Sequence, residues 1–583
     1  MKQPEKIWII FGLTSIIFHI FLIFSGLVPN LVSRPLHMAL IIPWVFLYKN
    51  KNFSKSIISY LFVVLGVFCC LWTSFNHELL SDQYGFLEGY FQTFISLSLL
   101  LIVLEMARRS VGWPLPLVSL LSLLYGMFGN FIPGEFGHPG IPINSFLGTL
   151  TIAEGGIWGT LTGVSVSIVA IFVIFGSFLN SGEAGSGFMN IATAFAGRLK
   201  GGAAKVSVIS SALFGSISGS ASANVASTGM VTLPAMIKLG YPRRLAASVE
   251  AVASSGGQIM PPLMGAGAFV MVELTGVPYN QIILAALLPA ILFFFAVWVG
   301  IDFYSKKYDL KPINKENLPK KSLVLLTSIF FFIPFSVLLI FMYIGFTPQY
   351  SAAVAILISF FLLFFNIDNG FNFKIGFNRF FKACISSGSQ ISLIGSIILC
   401  ASIIIGILSI TGLGVKLTSF IISASGNNIW PALLLTGLAC LVLGMEVPTT
   451  AAYVICVSVA GPALVDMGLE LLQVHLFVFW FALLSTITPP VCGTVFIAAG
   501  MVSENWLKVS ITSMSLGIGL YFIPLAMIAN KSIIELNSTF ILSILAFVKI
   551  ATGLTLLSYS IISKHNVFLR LGGFFISIFI MFI

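Results

Sequence analysis

The segment Gly215-Ser216-Ile217-Ser218-Gly219-Ser220-Ala221-Ser222-Ala223-Asn224 breaks an apolar stretch with glycines, hydroxyls and an amide, and Gly256-Gly257-Gln258 with Pro261-Pro262 breaks the next one. The pattern recurs as Gly444-Met445-Glu446-Val447-Pro448-Thr449-Thr450, followed by Thr486, Thr488 and Pro489-Pro490. Gly219 and Gly444, like Asn224 and Thr449, are 225 residues apart, and Pro261 and Pro489 are 228 apart. So regular an offset indicates a structural repeat, and paired interruptions of apolar segments point to a transporter's binding site.

A helix interrupted within hydrocarbon leaves backbone groups without partners, at a cost of several kcal/mol each. Unwound carbonyls, together with Ser, Thr and Asn oxygens, suit a hard, weakly charged cation such as sodium, and half-helix N-termini attract an anionic substrate. In the first half the donors are Ser218, Ser220, Ser222, Asn224 and Gln258, with Gly219, Gly256 and Gly257 permitting the unwound backbone. In the second half they are Thr449, Thr450, Thr486 and Thr488, with Gly444 and the prolines at 448, 489 and 490. The plainer alternative is that small residues merely let helices pack closely and that proline kinks them. Four such segments in matched order argue against it.

Three carboxylates stand out from so apolar a background: Glu250 before the first broken segment, Glu273 after it, and Glu446 at the second hairpin's turn. Intramembrane acids are costly and usually functional. Glu446 could bind sodium, carry a proton or repel an anionic substrate, or it could be a hairpin-tip residue in an aqueous cavity. Glu273 reads as lying near the membrane surface. Glu250 and Glu446 are the candidate proton sites, which keeps proton coupling open as an alternative.

The elements that must position these residues follow from composition. The chain has 583 residues, 58% apolar and 8% charged, against about 25% charged for a soluble globule. Windows such as 7–28, 56–75, 159–180, 281–301, 322–345 and 539–561 are continuous apolar runs of roughly 20 residues, enough for a helix to cross about 30 Å of hydrocarbon. About 12 to 16 membrane segments are expected, hairpins included. Runs of this kind satisfy their backbone as helices and lack the alternation of a β-barrel, so the fold class is an all-α integral membrane protein.

The formal net charge of +10 does not point to nucleic acid, because the basic residues lie in short loops where the positive-inside rule puts them in the cytoplasm. With a cytoplasmic N-terminus and both broken patterns treated as re-entrant hairpins, 25 of the 29 Lys and Arg fall inside. Arg34, Lys416 and Lys531 fall outside, and Lys549 sits within an apolar run. The hairpin at 205–238 then enters from the inside and that at 429–465 from the outside, so the repeats are inverted, as alternating access requires. The expected organisation is a four-helix region at 1–110, a connecting transmembrane helix at 111–132, a first inverted repeat at 133–303, a basic cytoplasmic linker at 304–321, a second repeat at 322–530, and membrane segments of no assigned role at 531–583. The first apolar run reads as a retained anchor, since no small-residue cleavage pattern follows it.

Other classes are disfavoured. There is no Gly-Lys dipeptide and hence no P-loop, and His77-Glu78 lacks the second histidine of a metalloprotease. The six histidines are scattered away from the hydroxyl-rich segments, where a serine nucleophile would need a base. All seven cysteines lie in apolar runs without metal-ligand spacing. An enzyme is therefore not expected, and no cofactor beyond a coupling ion is implied. A channel is the remaining alternative, but paired discontinuous hairpins with ion-type donors fit alternating access better.

The run 215–224, the stretch Gly240-Tyr241-Pro242 with Glu250-Ala251 and Gly256-Gly257-Gln258-Ile259-Met260-Pro261-Pro262-Leu263-Met264-Gly265, and Leu443-Gly444-Met445 with Pro448-Thr449-Thr450-Ala451-Ala452-Tyr453 resemble the tripartite ATP-independent periplasmic (TRAP) transporters. More narrowly, they resemble the fused permease of the TAXI type. The resemblance implies a small subunit at 1–110 fused to a large one, an elevator-type carrier domain in an ion-transporter-like fold, and coupling to an ion gradient. It also implies an extracytoplasmic substrate-binding protein of TAXI type, a small organic acid as substrate, and a multi-pass location in a bacterial or archaeal inner membrane. By motif position, one sodium would lie at Ser220, Asn224 and Gly257 and another at Gly444, Thr449 and Thr488. Relatives are expected to carry glycine where Glu446 stands, so the acid there bears on whether sodium or protons are used.

Overall fold

The computed structural model describes residues 3–48, 57–367, 370–444, 448–490 and 492–583. Chains this apolar can bury their backbone polar groups only by bonding them internally, and the protein is correspondingly helical. The only strands among the described residues form one short antiparallel hairpin, in which Phe365 pairs with Phe371. Among the described residues 11 helices are long and apolar enough to cross a membrane, or 12 if the pair Trp506–Leu516 and Ile518–Ala529, bent by 43°, is one span. The protein is an all-α, multi-pass membrane protein. Four candidate spans precede residue 112 (Lys6–Phe24, Asn30–Leu47, Ile57–Phe75 and Gly89–Val111), and Pro114–Phe131 is the next.

Several helices at the sequence-predicted breaks are short. Gly202–Ser218, Gly265–Thr275, Ile429–Leu443, Leu471–Leu484 and Gly493–Val502 all have 17 residues or fewer, which at 1.5 Å per residue falls short of about 30 Å. The chain forms two compact units, one of residues 1–181, 336–432 and 446–467, the other of residues 182–335, 433–445 and 468–583.

The first unit is organised around Phe373–Thr411, a 39-residue helix whose length of about 58 Å far exceeds the hydrocarbon thickness. It packs against Gln3–Phe24, Asn30–Leu47, Gly89–Val111, Pro114–Phe128, Ala170–Ser181 and Thr449–Asp466. Small residues allow the close approaches: Gly388 lies on the Trp44 indole, Gly395 on Ile41, and Gly406 on the backbone of Gly155 and Gly156. Polar contacts fasten the N-terminal helices to the segment that follows. Arg34 pairs with Glu154 at 3.3 Å and donates to the Trp158 carbonyl, while His37 bridges His19 at 2.8 Å and Ser165 at 3.0 Å.

The second unit contains the 30-residue helix Tyr279–Tyr308, with Phe540–Ile562 packed along it and Val567–Phe582 packed on that in turn. Residues 531–583, to which the sequence assigned no role, are thus part of this unit's packing. Lys549, anomalous within its apolar run, donates to Asn530 Oδ1 at 2.8 Å. Buried Lys205 pairs with Asp302 at 2.5 Å and lies 4.8 Å from the Trp298 ring centroid, so its charge and its aliphatic stem are both accommodated.

The segment 205–238 forms a helical hairpin, with arms Gly202–Ser218 and Ala221–Lys238 packed on each other. Gly219, at φ +61°, makes the turn, a conformation that favours a residue without Cβ. In the second expected hairpin, helices occupy Ile429–Leu443 and Thr449–Asp466. Its turn at 445–447, including Glu446, lies outside the described residues.

Candidate functional site

Both proline-broken segments belong to the second unit. The first runs from Arg243–Gly256 through a tight turn at Gly257–Ile259 and the cis Pro261-Pro262 bond to Gly265–Thr275. The second runs from Leu471–Leu484 through the cis Pro489-Pro490 bond to Gly493–Val502. They pack on each other: Arg243–Gly256 lies against Gly493–Val502, which also contacts Ala221–Lys238, and Gly267 abuts the Phe479 ring. Two distant parts of the sequence therefore build one polar, unwound region.

Glycine sets the closeness of the first half. A Cβ on Gly257 would stand 2.5 Å from Gly215 Cα, and one on Gly265 3.2 Å from Gly219 Cα, so the hairpin and the break meet backbone to backbone. Gly256 is covered by the Phe293 ring. Across this junction the Asn224 Nδ2 donates to the Ser211 carbonyl at 2.9 Å and to the Ser254 carbonyl at 3.3 Å, and Gln258 Nε2 donates to the Gly219 carbonyl at 3.1 Å. These acceptors fix the orientation of both amides, because a flipped amide would set oxygen against oxygen.

The consequence is that Asn224 Oδ1 and Gln258 Oε1, both buried, have no hydrogen-bond partner among the described residues. A buried acceptor left unsatisfied costs about 1–3 kcal/mol, so these two oxygens are suited to a ligand that accepts electron density. Ser220 caps the second arm, its hydroxyl accepting from the Ala223 amide at 3.3 Å, and Ser218 reaches the Ser220 carbonyl at 3.4 Å. Ser222, by contrast, is exposed. Ser220, Asn224 and Gln258 thus bring uncharged oxygens to the junction of the hairpin and the first break, while the Gly257 carbonyl accepts from the Met260 amide at 3.3 Å.

The second break is more fully bonded. Thr494 donates to the Thr486 carbonyl through its hydroxyl at 2.7 Å, Ser510 to the Ile487 carbonyl at 3.2 Å, and Ser485 to the Gly444 carbonyl at 3.1 Å. Thr486 donates to the Leu483 carbonyl at 2.8 Å, and Thr488 lies 2.6 Å from the Tyr521 hydroxyl. Gly444, Thr486 and Thr488 lie in the second unit, whereas Thr449, buried, and Thr450 lie in the first.

Glu250 is fully buried and among the described residues its carboxylate has no salt-bridge partner; the hydrogen bonds it accepts come from hydroxyls. Ser207 donates to Oε2 at 2.7 Å and Ser254 to Oε1 at 3.2 Å, and Thr228 and Thr232 complete the cage. Glu273 is exposed.

Sequence reasoning missed Ser207, Ser211, Thr228, Thr232, Ser254, Ser485 and Tyr521. For the first five a signal existed. Ser207 and Ser211, then Asn224, Thr228 and Thr232, then Glu250 and Ser254 recur at intervals of four on three successive helices, each a polar stripe on one face.

The profile described as "Tripartite ATP-independent periplasmic transporter, DctM component" matches residues 98–540, well over half of the chain. A C4-dicarboxylate TRAP transporter large permease protein, DctM, of Pseudomonas aeruginosa is 23% identical over 334 residues, covering 57% of this chain and 76% of that protein. An isethionate TRAP transporter permease protein, DctMQ, of Oleidesulfovibrio alaskensis is 24% identical over 406 residues, covering 67% of this chain and 61% of that protein. The uncharacterized protein YgiK of Salmonella typhimurium is 25% identical over 349 residues, covering 58% and 77% respectively. The matched span contains both breaks and the hairpin that meets them, and the chain belongs to the tripartite ATP-independent periplasmic transporter family as a permease of its DctM component.

Proposed function

We propose that this permease couples inward movement of sodium to uptake of a small organic acid, which an extracytoplasmic binding protein of the TAXI type delivers to it. The observation that carries the reading is the pair of unpartnered, buried amide oxygens of Asn224 and Gln258 beside the Ser220 cap and the tight turn at Gly257, where the backbone stays helical and does not unwind as the sequence led one to expect. A cation there supplies the missing electrostatic partner and ties the first hairpin to the first broken helix. A second sodium, held within the second unit by Gly444 and Thr488, belongs to the same proposal. Helix restarts at Gly265 and Gly493 offer amide-rich, positive N-termini to an anionic substrate.

Relatives named for C4-dicarboxylate and for isethionate support an organic acid as the substrate class. Residues 1–97 precede the matched family region and contain three spans ahead of Gly89–Val111, which supports a fused small-subunit-like part. The hairpins and broken helices are proposed to move as an elevator against a scaffold, with the N-terminus cytoplasmic and lipid around the whole. Binding of sodium-22 to purified protein tests the site: saturable binding in the wild type, reduced at least tenfold in Asn224→Ala, is expected. Equal binding in both proteins would contradict it.

A further inference from the structure

A cavity of about 390 Å³ lies between Ala184–Ala196, Gly202–Ser218 and Ala221–Lys238, lined by Ser186, Asn190, Ser210, Phe214, Ser227 and Thr228 among others. Its lining is polar enough, and its volume large enough, for on the order of ten waters. Thr228 belongs to this wall and its hydroxyl donates to Glu250 Oε1, so a single residue links the cavity wall to a fully buried carboxylate. The same Thr228 hydroxyl lies 2.8 Å from the Asn224 carbonyl and 3.4 Å from the Ser211 hydroxyl. The second connection from Glu250 to the candidate cation site runs through Ser254, whose hydroxyl meets Oε1 and whose carbonyl accepts from Asn224.

Hydroxyls suit a carboxyl group that changes charge. Each can donate to a carboxylate or turn and accept from an acid, since a hydroxyl is both donor and acceptor. Thr228 can direct its proton to Glu250 or to the Asn224 carbonyl, and Thr232 can direct its proton to Glu250 or to the Thr228 carbonyl at 3.1 Å. No heavy atom need move. A glutamate serving structure alone would be expected to hold a cationic partner, and the charged groups on the packed helices are otherwise placed. Lys205 is held by Asp302; Arg243 and Arg244 start the helix of Glu250, and Lys238 ends Ala221–Lys238. Lys306 and Lys307 lie in the last turn of Tyr279–Tyr308, with Tyr304 and Tyr308 nearby on it. Lys508 is in the first turn of Trp506–Leu516, His475 is on Leu471–Leu484, and Gly493–Val502 has no ionisable residue.

We propose that Glu250 is a proton-exchange site reached from this cavity through Thr228, and that protonation there and sodium binding at Asn224 oppose one another. The inference rests on the reading of Asn224 as a sodium ligand. In the exchange a hydronium in the cavity gives a proton to the Thr228 hydroxyl oxygen and becomes water, while the original Thr228 O–H bond breaks as its proton passes to Glu250 and forms an O–H bond there; the proton Thr228 has gained then turns to the Asn224 carbonyl. The ionised carboxylate, two hydrogen bonds from Asn224, raises cation affinity about tenfold or more through its charge, and by linkage sodium disfavours protonation by the same factor.

The test uses the whole protein in nanodiscs. Sodium-22 binding in the wild type is expected to weaken about tenfold as pH falls from 9 to 5, while Glu250→Gln binds weakly with little pH dependence. A pH-independent wild type, or a wild-type slope in Glu250→Gln, overturns the linkage. A second measurement guards against misfolding of the variant: modification of Glu250 in the wild type by a water-soluble carbodiimide, read by peptide mass spectrometry. It should rise on acidification, fall when sodium chloride replaces choline chloride, and fall when Ser227→Trp fills the cavity. No modification at any pH overturns the access route. Normal acid-dependent modification with no sodium binding at any pH would overturn the sodium reading itself, and with it the opposition proposed here.

Discussion

Gly215 and Gly257 touch backbone to backbone, so that a Cβ on Gly257 would fall 2.5 Å from Gly215 Cα. That contact brings the hairpin carrying Asn224 against the break carrying Gln258, the two residues whose amide oxygens are buried without a hydrogen-bond partner among the described residues. Gly257→Ala should lower thermal stability by about 1–3 kcal/mol and abolish sodium binding. Gly500→Ala, where the exposed glycine has open space around it, should leave both unchanged or raise stability by up to about 1 kcal/mol. Melting curves of the two variants, with and without sodium, make the comparison.

Asn224→Ala removes the donor shared by the Ser211 and Ser254 carbonyls together with the free Oδ1. Two buried acceptors lose a partner, at about 1–3 kcal/mol each. The variant should insert and remain monodisperse, with a lower melting temperature that sodium no longer raises. A full sodium-induced rise in its melting temperature would dissociate Asn224 from the cation.

Thr488→Val tests the second site separately. The substitution removes the 2.6 Å contact with the Tyr521 hydroxyl. Equilibrium binding should then fall from two sodium ions per chain to one, with the remaining ion bound at near wild-type affinity. Two ions retained would remove Thr488 from the ligand set.

The charge distribution predicts the sidedness of the N-terminal helices. Alkaline phosphatase fused after Gly85, in the acidic loop, should be active, and the same fusion after Gly112, beyond Arg108 and Arg109, should be inactive. The reverse pattern would invert the topology.

Much of this architecture was legible because its physical causes are local in sequence. Apolar run length identified the spans, and Gly219 with the double prolines marked where helices stop, since those residues cannot continue a helix without cost. Asn224 and Gln258 stood out as amides in an apolar setting. The cage around Glu250 was harder to see. Its serines and threonines look individually like the small residues of any membrane helix, and their meaning appears only when three stripes of period four converge on one carboxylate. Lys549 could not be explained from its own run, because its partner, Asn530, sits on the preceding turn. The assembly of both breaks in one compact unit is a tertiary fact that no spacing rule expresses.

Uptake of labelled organic acids into proteoliposomes, with and without the binding protein and under an imposed sodium or an imposed proton gradient, is the decisive measurement for sodium-coupled, binding-protein-dependent transport. Uptake is expected to need both the binding protein and inward-directed sodium, and to be lost in Asn224→Ala. Uptake driven by the proton gradient with no sodium present, or downhill flux without the binding protein, would contradict it.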